Sequence, residues 1–67
     1  MESTKAIEIL KTAILMEKRG KAFYEKMAEQ TLSQEARKIF SIMAEEEKAH
    51  VEFLSMQFRH YARSTPS

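Results

Sequence analysis

Apolar residues recur along the first half of the chain at Ile7, Leu10 and Ile14, then at Tyr24 and Ala28, with Ala6, Ala13 and Met27 beside them. Alternating steps of three and four mark the inward-facing seam of an amphipathic helix. The spacing predicts a first helix over about residues 4–29, opened by Ser3 or Thr4, whose hydroxyls suit a cap. A second set runs through Ala36, Phe40, Met43, Leu54 and Tyr61, widened by Ile39, Val51, Phe53 and Phe58. It predicts a second helix over about residues 33–62. Ser33 stands at the cap position, and Glu35 lies in the first turn, where the helix dipole favours an acid. Gln30, Thr31 and Leu32 are left to connect the two, and residues 63–67 read as a frayed, disordered tail. A connection this short makes the helices antiparallel neighbours, so the chain reads as one all-α domain, a two-helix hairpin over residues 1–67.

Polar residues interrupt the seams at particular points. Leu10, Glu17 and Tyr24 are seven apart, which places Glu17 on the seam of helix 1. In helix 2, Phe40, Glu47, Leu54 and Tyr61 share one heptad position, and Met43, His50 and Gln57 share the other. Both members of the Glu47-Lys48-Ala49-His50 pair therefore face inward, and residues three apart share one helix face. Counted outward from Leu32, Glu17 and Glu47 each lie 15 residues from the turn. At about 1.5 Å per residue both sit roughly 22 Å from it, at one height in the hairpin. His50 follows one helical turn further on. Gly20 lies inside helix 1 at a cost of about 1 kcal/mol relative to alanine, which a close helix–helix approach or a tolerated defect explains.

Composition sharpens this picture in three ways. One Gly and one Pro in 67 residues leave few breaks in regular structure. A chain this short buries too little apolar surface to be stable without disulfides, a metal or a partner. With no cysteine, only a metal or self-association remains, and a rubredoxin-type iron centre is excluded within these residues. Eleven Lys+Arg against ten Asp+Glu argue against dedicated nucleic-acid binding, which needs a basic stripe. No apolar run approaches the roughly 18 residues of a membrane span, and no signal peptide is visible after Met1, so a cytoplasmic location is the expectation. The five methionines read as core filler.

Two hairpins would form a four-helix bundle and cover the wide stripes. Two-fold symmetry would then assemble four carboxylates and two imidazoles. That is the ligand set of a carboxylate-bridged dinuclear metal centre: one Glu from each of two helices and Glu-x-x-His from each of the other two. Two segments carry a family resemblance: Met16-Glu17-Lys18-Arg19-Gly20-Lys21-Ala22-Phe23-Tyr24-Glu25-Lys26 and Met43-Ala44-Glu45-Glu46-Glu47-Lys48-Ala49-His50. The chain resembles the ferritin-like superfamily, most closely its rubrerythrin-type branch, over roughly residues 6–56. Members usually carry two such hairpins in tandem. This chain is similar to the half-length members, including the encapsulated ferritins, which build a di-iron site across a dimer interface.

The resemblance implies that Glu17, Glu47 and His50 are metal ligands and that Tyr24 stands next to the site. It implies a dinuclear iron centre shared between two chains, with manganese or zinc as possible substitutes, in a homodimer or higher even-numbered oligomer. The implied reaction is oxidation of Fe(II) by O₂ or peroxide, in iron handling or detoxification, with an encapsulating shell as a further partner. A rubrerythrin-like peroxide reductase drawing on an external electron donor is the alternative enzyme. A metal-free helical dimerisation module is the alternative outside enzymology. Glu46, four residues before His50, is the substitute ligand if the register differs. Glu45, Lys18, Arg19, Lys21 and Lys26 read as solvated, and His60 as surface.

Overall fold

The computed structural model describes residues 3–64. Within them the chain forms α1, Ser3–Gln30, and α2, Gln34–Ser64. The two pack side by side as an antiparallel hairpin 51 Å long and 16 × 14 Å in section, as the seams and the short connection predict. Thr4 lies inside α1 rather than capping it. α2 continues through Arg63 and Ser64, which the sequence assigned to the frayed tail; the rest of that tail, residues 65–67, lies outside the described residues.

Side-chain chemistry sets the turn. The Thr31 amide donates to the Met27 carbonyl at 3.0 Å, closing α1. The Ser33 amide donates to Thr31 Oγ1 at 3.2 Å. Ser33 Oγ then accepts from the Ala36 amide at 3.1 Å, the N-cap bond its position predicts. Arg37 reaches back to the Thr31 carbonyl at 3.1 Å. Several of the orphan groups at the two helix ends thus find partners within a three-residue link, and the link holds the register of the two helices. Leu32, at its tip, is almost wholly exposed.

The hairpin has a seam but almost no core. Ala44, at 7% exposure, is the one buried hydrophobic residue among those described. The radius of gyration is 15.3 Å, against roughly 11 Å for a compact globule of this length. Much large apolar surface stays in water, including Ile9, Met16, Phe23, Ile42, Phe53 and Met56. These residues are not scattered. Ile9, Met16 and Phe23 repeat every seven residues on α1, while Ile39, Ile42, Phe53 and Met56 keep the three-and-four rhythm on α2. At about 100° per residue each stripe lies beside its helix's seam. In an antiparallel pair the two stripes fall on the same side of the hairpin. The groove formed by Ile9, Leu10, Phe53 and Leu54 shows them meeting there. The opposite groove carries Lys18, Lys21, Glu25, Lys48 and Glu52, a charged and solvated edge.

Candidate metal centre

Glu17 of α1 and Glu47 and His50 of α2 converge in the middle of the hairpin. One ligand atom from each lies within 4.8 Å of the others. Equal distance from the turn brings the two carboxylates to one height, and the i,i+3 spacing carries the imidazole to the same place. Glu47 is on the seam, its side chain 19% exposed. His50 is further out, at 56%. The step of three residues turns the helix about 300°, which leaves His50 some 60° off the seam line at its open rim. That rim belongs to the apolar side: Glu17 and His50 share a groove with Phe53 and Leu54.

The cluster is held together by protons. His50 Nδ1 lies 2.8 Å from Glu17 Oε2 and 3.6 Å from Glu47 Oε1. A carboxylate only accepts, so the imidazole N–H is the donor to Glu17. Glu17 is held below the usual carboxylate range, first by its hydrogen bond with the Glu47 carboxyl and then by His50. Glu47 is pushed up, first because it shares that hydrogen bond from the protonated side and then by burial. His50 is raised, chiefly by its bond to Glu17. Two acids at close range cannot both ionise freely, so one keeps its proton longer. A divalent cation would satisfy the same three groups at once.

The donor set fits such an ion. Two carboxylate oxygens and one imidazole nitrogen suit iron(II), manganese(II) or zinc(II). Each sequence-derived ligand is in the cluster, and Glu46 is not. Tyr24 lies one heptad beyond Glu17 but packs into the aromatic seam. Its ring stacks on Phe40 at a centroid distance of 6.4 Å and meets Phe23 edge-on at 5.5 Å. Among the described residues its hydroxyl makes no hydrogen bond to the triad. The clearest addition from the structure is Gly20. It faces the Glu47 carboxylate, and the only sequence signal was a lone glycine in mid-helix.

The sequence pattern of the rubrerythrin family is matched by residues 8–65 of this chain. The chain belongs to the rubrerythrin family. Comparison with the curated proteins and with the solved structures returned no match. The matched stretch contains all of α2, α1 from Glu8 onward, and all three clustered groups. No helix among the described residues is long and apolar enough to cross a membrane.

Proposed function

We propose that two copies of this rubrerythrin-family chain pair through the apolar side and build a di-iron carboxylate centre between them. The centre would oxidise Fe(II) with O₂ or peroxide in iron handling. The observation that carries the reading is the convergence of Glu17 with Glu47 and with His50, the latter 33 residues away in sequence, on the side of the hairpin that leaves its apolar stripes uncovered. Three ligands open to solvent make half a site. A second copy related by a two-fold axis brings the same three groups to the same interface and covers Met16, Phe23, Ile42 and Phe53 at the same time.

In this arrangement the Glu17 and Glu47 carboxylates and the His50 imidazole of the two copies would hold the metal ions. The bound iron pair supplies the electrons that reduce O₂ or peroxide. In the metal-free hairpin Glu17 holds His50 in place through the Nδ1–H bond, and its neighbours keep its carboxyl below the usual range. A metal ion at these groups would take the place of the proton that joins His50 to Glu17. Phe53 and Leu54 keep water from the rim. Peroxide reduction is the neighbouring chemistry for this family, and it would draw its electrons from an external donor.

The test is metal content alongside oligomer mass, on protein loaded anaerobically with Fe(II), for wild type and Glu47→Ala. About one iron per chain in an even-numbered oligomer is expected, with the iron lost in the variant. Oxygen consumption on exposure to air should follow the iron. A metal-free oligomer indifferent to Glu47→Ala would refute the centre and leave a helical dimerisation module. Peroxide turnover that requires a reductase, without oxidation of Fe(II) by O₂, would move the assignment to peroxide reduction.

A further inference from the structure

Gly20 is the only glycine in the chain, and its backbone does not need to be glycine, since no glycine here has a positive φ. α1 would gain helical stability from almost any other residue at this point. What the absent side chain provides is space in one direction. A Cβ at position 20 would lie 3.1 Å from Glu47 Oε2, 3.5 Å from Cδ and 3.8 Å from Cγ, and these are its three nearest neighbours. The heptad partners of Gly20 on α1, Ala13 and Met27, both carry side chains. The gap thus occurs at the height of the Glu47 carboxylate.

We propose that Gly20 is a positioning residue for the metal centre: it leaves the room in which the Glu47 carboxylate takes up its ligating orientation. The inference rests on the metal-centre reading and deepens it. A Cβ at 3.1 Å is tighter than ordinary contact, so the carboxylate must yield by a few tenths of an ångström. In the metal-free protein that is easy, because Glu47 has three side-chain torsions and no ion fixes its carboxylate. At a metal centre it is not, because ligand distances are held to about 0.2 Å and the whole constellation to about 0.5 Å. Gly20→Ala therefore separates two effects that a structural glycine would keep together. The apo hairpin should be as stable as wild type or more so, while the ligand is displaced.

The experiment titrates Co(II) into the full chain and its Gly20→Ala variant, reads affinity and the visible d–d absorption, and records apo melting temperature and oligomer mass. The expected result is an equal or higher apo melting temperature, unchanged oligomer mass, about tenfold or greater loss of Co(II) affinity and an altered absorption at saturation. In a Glu47→Asp background, where the shorter acid meets the Cβ only at ordinary contact distance, the same substitution should change the spectrum at saturation little, since the two positions act as a coupled pair. Wild-type affinity and spectrum in Gly20→Ala would overturn the proposal. So would an equal effect in the Glu47→Asp background. Loss of the apo oligomer would instead make Gly20 a contact for a partner helix, which also overturns it. A wild type that binds no Co(II) defeats the metal-centre reading itself; a wild type that binds and a variant that binds alike defeat only this inference.

Discussion

Phe53 offers the sharpest test of how the hairpin completes itself. It stands beside the Glu17–His50 groove on the apolar side and is 60% exposed in the isolated hairpin. A phenylalanine presents about 200 Å², so roughly 120 Å² is still in contact with water. At about 25 cal/mol per Å² its complete burial in a dimer would contribute about 3 kcal/mol per copy. An alanine would keep roughly 1 kcal/mol of that, which leaves about 2 kcal/mol lost per copy. Two-fold symmetry counts the loss twice, about 4 kcal/mol, or close to three decades in dimer dissociation constant at 1.4 kcal/mol per decade. This is a ceiling, because it assumes full burial. Leu15 supplies the control. It is 48% exposed, but its helical phase places it on the other edge of α1, away from the Ile9, Met16 and Phe23 stripe. Sedimentation equilibrium on Phe53→Ala and Leu15→Ala, each with chelator and with Mn(II), reads the difference. Phe53→Ala should dissociate at far higher protein concentration than wild type, and Leu15→Ala should not. A Leu15→Ala protein that dissociates while Phe53→Ala stays paired would refute the assignment of the face. A wild type that is monomeric in both conditions would refute the shared centre.

Glu17→Ala should abolish the rise in melting temperature that Mn(II) produces. For wild type at a hundredfold excess over Kd that rise corresponds to about 2.7 kcal/mol, and an equal rise in the variant would remove Glu17 from the site. Metal affinity should climb with pH. His50 and Glu47 both hold protons above their ordinary range, and those protons compete with the ion, so Mn(II) should bind more weakly at about pH 6 than at about pH 8. Calorimetry in buffers of different ionisation enthalpy should show proton release, and pH-independent binding without it would contradict the arrangement. Without metal the raised His50 works in the opposite sense: its bond to Glu17 supports the fold below about pH 6.5, and that support fades as pH rises through the higher folded value. Apo melting curves across that range should therefore shift downward with pH if this pair dominates. Ala44→Leu should destabilise the apo protein by about 1–3 kcal/mol in denaturant titration, because it overfills the tightest point of the seam. Leu32→Ala, at the exposed tip, should stay within about 0.5 kcal/mol.

The hairpin and its metal-ligand candidates were legible in the chain because helical periodicity is a local property. Leu10, Glu17 and Tyr24 at steps of seven, and Phe40, Glu47 and Leu54 likewise, assign faces without any knowledge of what those faces meet. A link of a few residues with Ser33 as a cap forces an antiparallel partner, and equal counts from Leu32 then align Glu17 with Glu47. The family resemblance rested on the same two segments. Distances of a few ångströms belong to the tertiary structure. Helical phase put His50 on the seam, whereas the packed pair leaves it at the rim, bonded to Glu17. Tyr24 was expected beside the ligands, yet the neighbouring Phe40 ring captured it. The lone glycine had two explanations in the sequence, and only the approach of Glu47 on the opposite helix chose between them. The sequence by itself determined which residues share a face and a height. The tertiary structure decided which of them touch, because side-chain rotamers and interhelical distance depend on packing that no local pattern encodes.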